Sequence, residues 1–181
     1  MKPSASPRTD SGNQVLLEIR SSPEFPRNSE GAFITLRSGR LIYYYTQFCG
    51  GSSDYSSARI AEVHSDDRGK TWSRPARFLQ RGKSINVMSV SVLRLHDGRI
   101  AMFHCVKNSA LDCRPWMRVS DDDGATWSKP GVVVRAPGYF VLNNDRVVQT
   151  RTGRLIVPVA FNRALLPAQT RRRGDDAGFN D

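Results

Sequence analysis

The sequence predicts an all-β chain of repeated four-stranded antiparallel blades, the local plan of a β-propeller. Ser65-Asp66-Asp67-Arg68-Gly69-Lys70-Thr71-Trp72 returns as Ser120-Asp121-Asp122-Asp123-Gly124-Ala125-Thr126-Trp127, so S-x-D-x-G-x-T-W recurs 55 residues on (120 − 65). Repetition at that spacing marks propeller blades or an array. Leu36-Arg37-Ser38-Gly39-Arg40-Leu41-Ile42, Leu95-His96-Asp97-Gly98-Arg99-Ile100 and Thr150-Arg151-Thr152-Gly153-Arg154-Leu155-Ile156 are three copies of one G-R-[LI] turn. Between these punctuation marks lie short runs rich in β-branched and aromatic residues, the signature of strands.

Taken in order, the first repeat offers strands at 32–36, 41–47 and 58–63 before its tryptophan motif and 76–79 after it. The second repeats this at 90–95, 100–106, 116–119 and 132–134, and a third begins with 146–149 and 155–161. Each G-R turn joins strands one and two, and each tryptophan motif joins strands three and four. Residues 15–19 precede all of these and read as a strand that closes the ring by completing the last blade. The blades are expected at about 25–82, 83–137 and 138–181, the last incomplete, within a partial propeller at 13–181 behind a flexible tail at 1–12. A third tryptophan motif falls due near residue 179 and is not there, so the sequence reads as the amino-terminal half of a longer protein. A blade cannot cover both faces of its own sheet, so stability comes from its neighbours.

Composition narrows the partners. The 27 basic residues outnumber the 17 acidic ones, giving a net charge of +10, and only Lys2, Lys70, Lys83, Lys107 and Lys129 are lysines. The arginines are scattered through turns and strand ends, with no basic helix and no zinc-finger spacing, which disfavours nucleic acid. They suit a carboxylated sugar, or serve as solvated turn residues. Cys49, Cys105 and Cys113 show no C-x-x-C and no paired histidine, so neither a disulfide framework nor a metal site is indicated. No cofactor is expected. No apolar run follows Met1 and no stretch approaches a membrane span, making cytoplasm the default location.

Antiparallel alternation sorts the connections onto two faces. The G-R turns and tryptophan motifs share one. The approaches to strand one and the loops between strands two and three share the other, at the mouth of the central channel. A four-residue insertion in the first repeat falls on this second face, within residues 48–57. The tryptophan motifs are therefore structural: Ser65, Asp67, Ser120 and Asp122 can accept backbone N–H bonds, Gly69 and Gly124 can take positive φ, and each indole can reach a nearby carbonyl. Asp121-Asp122-Asp123-Gly124 lacks the alternation and terminal glutamate of a calcium loop.

Candidate site residues lie at the mouth: Arg27, Asn28 and Glu30 ahead of the first blade, Asp54 in the enlarged loop, and Asn86 and Ser89 ahead of the second. Asp112 and Arg114 occupy the second blade's matching loop, and Asn143, Asn144, Asp145 and Arg146 lead into the third. Polar and charged groups converging on a channel mouth suggest a ligand site, although turn preference also favours asparagine and aspartate there.

The S-x-D-x-G-x-T-W repeat resembles the Asp-box of the sialidase (neuraminidase) family, and the resemblance covers residues 25–161. It implies a six-bladed sialidase-type β-propeller, of which about three blades are present, and an exo-glycoside hydrolase removing terminal sialic acid or a related acidic sugar. Sialidases hold the sugar carboxylate with an arginine triad, use a first-blade aspartate as general acid/base and form a glycosyl intermediate on a tyrosine assisted by a glutamate. Arg27 matches the first triad arginine and Asp54 the acid/base, whose carboxyl is expected to be partly buried. Glu30, Asn86, Arg114, Asn144, Asp145 and Arg146 then complete the substrate-binding set. The tyrosine, its glutamate and the other two arginines would follow Asp181, leaving the fragment inactive alone. The usual F-R-I-P start is replaced by Phe25-Pro26-Arg27-Asn28-Ser29-Glu30-Gly31, and no arginine stands just ahead of Asp54. A non-catalytic carbohydrate-binding module and an enzyme acting on uronic acids remain as alternatives on the same scaffold.

Overall fold

The computed structural model describes residues 9–10 and 13–162, all strand, turn and loop. A short hairpin pairs β1 (Thr9–Asp10) with β2 (Asn13–Gln14); the rest of the expected tail, 1–8 and 11–12, lies outside the described residues. The first blade comprises β3 (Arg27–Thr35), β4 (Leu41–Phe48), β5 (Ala58–Ser65) and β6 (Ala76–Leu79), and the second β7 (Asn86–Arg94), β8 (Ile100–Lys107), β9 (Cys113–Ser120) and β10 (Gly131–Val132). Within each blade consecutive strands pair antiparallel. The blades touch edge to edge through one parallel pair, Ala58 with Asn86. A third hairpin is split: β11 (Phe140–Val141) pairs with β14 (Ala160–Phe161), and β12 (Val148–Gln149) with β13 (Leu155–Ile156). The stretch near residue 179, where a third tryptophan motif falls due and the sequence has none, lies outside the described residues.

Two differences from the sequence reading bear on the site. Strand one starts earlier than expected in both full blades, at Arg27 and Asn86, because backbone pairing continues through the polar run Arg27 to Glu30 in the first and through Asn86 to Ser89, polar only at its two ends, in the second. Each such strand crosses a β-bulge, between Asn28 and Gly31 in β3 and between Met88 and Ser91 in β7. Residues 15–19, expected to be a strand, form none among the described residues. Leu17 and Ile19 instead pack on Tyr45, Ala61 and Val63 beside Tyr43 and Trp72, and Asn28 donates its side-chain amide to the carbonyls of Ile19 and Arg20.

Apolar residues alternate to both faces of each blade, so the core lies between blades. Ile34, Ile42, Tyr44 and Ile60 of the first meet Val90, Val92, Ile100 and Met102 of the second. On the second blade's other face, Phe103, Cys105 and Cys113 meet Tyr139, Leu142 and Val147 of the third repeat. Such shared burial is the dominant favourable term holding stacked repeats together.

Both Asp-boxes fold as expected from their residues. The Ser65 hydroxyl accepts the Gly69 amide at 2.8 Å, Asp67 accepts the Thr71 amide at 2.8 Å, and the Trp72 indole donates to the Gly69 carbonyl at 3.0 Å. Ser120, Asp122 and Trp127 repeat these bonds at 2.8, 2.8 and 3.2 Å. Gly69 and Gly124 have φ of 88° and 93°. The same face carries the G-R turns, and Arg94 bridges the blades by donating to Asp123 and to the Thr35 carbonyl. Much of the arginine excess is thus engaged in turns: Arg40 with Asp66 and Arg99 with Asp97 are further pairs.

Hydrogen bonds from Thr71 and then Ser65 hold the Asp67 carboxyl down at about 2, and those from Thr126 and Ser120 do the same for Asp122, also at about 2. An unfolded aspartate titrates near roughly 4. The ionised hairpins therefore stabilise the fold above that pH, and the contribution is lost as pH falls towards 2. Asp67→Asn and Asp122→Asn are each expected to lower Tm at neutral pH and to flatten its decline between about pH 4 and 2, read by thermal melts across that range.

Candidate functional site

The face opposite the Asp-boxes holds a cavity of about 440 Å³ whose wall comes from all three repeats. The bulges in strand one build it. From β4 to β8 the repeats are offset by 59 residues (Leu41 to Ile100), and from β8 to β13 by 55 (Ile100 to Leu155). By those offsets Glu30, Ser89 and Asn144 occupy equivalent places, and all three line the cavity. Ser89 has φ of 62° and Asp145, one residue past Asn144, 52°, so strand one departs from extended geometry where it meets the space. In the first blade the turn is made possible by Gly31, where a Cβ would sit 1.8 Å from the Tyr44 carbonyl oxygen.

A hydrogen-bond chain links the walls. The Ser89 amide donates to Thr46 Oγ1 at 3.1 Å, the Val90 amide to Asn144 Oδ1 at 2.8 Å and the Arg146 amide to Ser91 Oγ at 3.1 Å. These bonds run from the first blade to the second and on to the third repeat, which fixes the rim without consuming the side chains of Glu30 or Asp54.

Asp54 stands on the loop between β4 and β5, 49–57, four residues longer than the matching loop 108–112 of the second blade. Arg27 Nη1 donates to Asp54 Oδ1 at 2.7 Å and to the Ser52 carbonyl at 3.0 Å, and its guanidinium lies 4.4 Å over the Phe48 ring. The burial of Asp54 is slighter than the acid/base role led one to expect: its side chain is 55% exposed, since the enlarged loop carries it to the rim. Glu30 lies close enough to both to feel their charges. Its carboxyl, hydrogen-bonded by the Ser29 hydroxyl and its own backbone amide, is held below the usual range, with Arg27 adding to the shift and partial burial and Asp54 opposing it. Two guanidiniums, Arg27 and Arg146, and two carboxylates, Glu30 and Asp54, thus share the cavity, which balances in charge although the chain is strongly basic.

Of the expected site residues, the cavity brings together Arg27, Glu30, Asp54, Ser89, Asn143, Asn144 and Arg146. Asn86 lies beneath it, fully buried, and donates to the carbonyls of Asp54 and Ser56 at 2.9 and 3.0 Å. Asp145 places its amide on the Val90 carbonyl at 3.0 Å, and its side chain does not line the space. Arg114, expected in the second blade's loop, stands instead on β9, where backbone pairing with Val106 holds it in the strand, and is paired with Asp112 at 2.8 Å outside the cavity wall. Thr46 and Lys107 were not anticipated. Lys107 Nζ donates to the Asp54 carbonyl at 2.6 Å; a lone lysine ending the apolar run 100–106 was the available signal. Among the described residues no cluster of His, Cys, Asp and Glu could hold a metal ion, and no helix is long and apolar enough to cross a membrane.

No protein-family model matches the chain, and no curated protein matches it by sequence. Among solved structures it is similar to a Hadza microbial sialidase, at 23% identity over 77% of this chain and 33% of that one, with a TM-score of 0.62. The intramolecular trans-sialidase from Ruminococcus gnavus, solved with oseltamivir carboxylate, matches at 13% identity over 77% of this chain and 56% of its own, with a TM-score of 0.61. The leech intramolecular trans-sialidase complexed with 2,7-anhydro-Neu5Ac matches at 13% over 88% and 43%, with a TM-score of 0.62. This chain spans from 33% to 56% of the length of these structures. At such identities the likeness is one of fold, and the fold of this all-β chain is the one found in the β-propeller domains of sialidases.

Proposed function

We propose that this chain contributes the carboxylate grip and the general acid/base of a sialidase-like exo-glycoside hydrolase acting on terminal sialic acid or a related acidic sugar. The observation that carries the reading is the contact of Arg27 with Asp54, brought from 27 positions apart to 2.7 Å at the rim of a polar cavity. A guanidinium stays charged and donates two parallel bonds, which suits it to a sugar carboxylate. An incoming carboxylate competes with Asp54 for Arg27. Once released, the Asp54 carboxylate is free to be protonated by exchange with bulk solvent and, as the acid, to deliver that proton to the departing glycosidic oxygen. Glu30 and Asn144 offer acceptors and donors to ring hydroxyls, and Arg146 a second cation across the cavity. Asn86 and Arg114, engaged with the Asp54 loop and with Asp112, support the rim in this reading.

Among the described residues the cavity wall includes no tyrosine. In a retaining sialidase mechanism that nucleophile has to come from elsewhere in the protein, a departure from the two-carboxylate scheme. The reading is tested by assaying the full-length protein against a sialoside and a uronide side by side. Cleavage of the sialoside alone supports it; cleavage of the uronide alone, or tight binding with no turnover, replaces it with one of the two alternatives. Arg27→Ala is expected to weaken binding of free sialic acid by about 10- to 100-fold, the worth of a charge-assisted hydrogen bond, read by calorimetric titration.

A further inference from the structure

Lys107 ends β8 with its side chain in the interior, 1% exposed, yet among the described residues no carboxylate forms an ion pair with it. A buried ammonium with no direct ion pair, only the more distant Asp54 charge, is costly and is expected to be retained for something other than stability. Its nitrogen has three donors. One reaches the Asp54 carbonyl at 2.6 Å, and the charge lies 4.5 Å from the centre of the Tyr55 ring and 5.5 Å from that of Tyr139. Burial pushes the ammonium below its ordinary range.

Asn86 is the direct cross-strand partner of Lys107. Its amide nitrogen donates to the same Asp54 carbonyl at 2.9 Å. Two donors from adjoining strands of the second blade therefore converge on a single oxygen of the first blade's loop, using both of its lone pairs. Asn86 also holds the Ser56 carbonyl, so the loop is pinned on either side of Tyr55. The loop's own bonds, Ser56 N to Ser53 O at 2.8 Å and Cys49 N to Ser57 O at 2.9 Å, close its base but leave the Asp54 backbone to these two side chains.

We propose that Lys107, seconded by Asn86, is a positioning residue for Asp54: by clamping the Asp54 carbonyl from the neighbouring blade, it fixes where that carboxyl stands relative to Arg27 and the cavity. The proposal rests on the reading of Asp54 as the acid/base. It makes the geometry of a first-blade group depend on a second-blade side chain that never touches the ligand. A displacement of about 1 Å of a catalytic group can cost on the order of 100-fold in rate.

The test is Lys107→Met in the full-length protein, which keeps the length and apolar bulk of the stem and removes the donors, with Asn86→Ser as a second variant. Sialoside kinetics, thermal melting and amide hydrogen exchange of Tyr55 and Ser56 are measured on each. Lys107→Met is expected to keep the wild-type melting temperature, to lower kcat by about 10- to 100-fold with KM changed less than about threefold, and to speed exchange at these two amides by roughly tenfold while β3 and β4 stay protected. Unchanged kcat with unchanged loop exchange overturns the proposal, as does a fall in melting temperature alone. Faster loop exchange in the variant of a wild type that cleaves no sialoside supports the clamp and overturns the enzymatic reading instead. If Lys107→Met does not fold, the kcat-against-KM split and loop exchange of Asn86→Ser decide by the same criteria.

Discussion

Asp54→Asn is expected to lower kcat on a sialoside by about 10²- to 10⁴-fold, the usual worth of a positioned general acid, while affinity for the free acidic sugar is kept or increased. The two expectations have one origin. Asp54 occupies the guanidinium that the sugar carboxylate is proposed to need, at 2.7 Å from Arg27 Nη1. An amide leaves an acceptor oxygen in place but removes the negative charge, so the competing contact weakens and ligand carboxylate meets less opposition. Both side chains are partly exposed, 35% for Arg27 and 55% for Asp54, so solvent screening keeps the effect on affinity to a few-fold. Steady-state kinetics on the full-length protein and a titration with free sialic acid check both halves. Turnover equal to that of the wild type would remove Asp54 from the chemistry, whereas a large loss of affinity would make it a binding group.

The parts of this architecture that could be read in the sequence are those whose physics is local. Each Asp-box closes on its own Ser, Asp, Gly and Trp within eight residues, and the G-R turns need only a glycine with positive φ, so the repeat and both faces of the blades followed from spacing. Convergence of Arg27 and Asp54 was also legible, because alternating strand direction sends both to the same face of the blades, where they line one cavity. Strand one was harder to delimit: Arg27 to Glu30 all carry polar side chains, Asn86 and Ser89 bracket Val87 and Met88 with polar ones, and the pairing that makes these stretches strand is made by backbone. Lys107 carried only a weak signal, its place at the end of an apolar run, which does not distinguish a lysine that ends a strand in solvent from one folded back under a neighbouring blade. Arg114 shows the converse, a charge beside a promising loop that stands on β9 and whose partner, Asp112, is two residues away.

Gly31→Ala is expected to carry the largest cost to stability of any single-methyl addition in the first blade. Most glycines here adopt left-handed turns, but Gly31 is needed for space: a Cβ there would meet the Tyr44 carbonyl oxygen at 1.8 Å, its carbon at 2.8 Å and the Tyr45 Cα at 2.8 Å. All three are backbone atoms of β4, so relief requires β3 and β4 to separate where Gly31 pairs with Tyr45. Forcing extra volume into a packed interior costs typically about 1–3 kcal/mol and more when the obstacle cannot rotate away. Tyr44 and Tyr45 are themselves buried between sheets, which leaves β4 little room to yield. Gly131, with nothing within 4 Å of a built Cβ, is the control, and Gly131→Ala is expected to melt with the wild type. The effect on the site separates this from a purely structural defect. Gly31 closes the bulge that turns Glu30 to the cavity and seats Arg27 opposite Phe48, so in the variant that still folds, affinity for free sialic acid falls along with the denaturant midpoint. A variant that loses stability and binds as before would mean that the bulge shapes the blade without shaping the site.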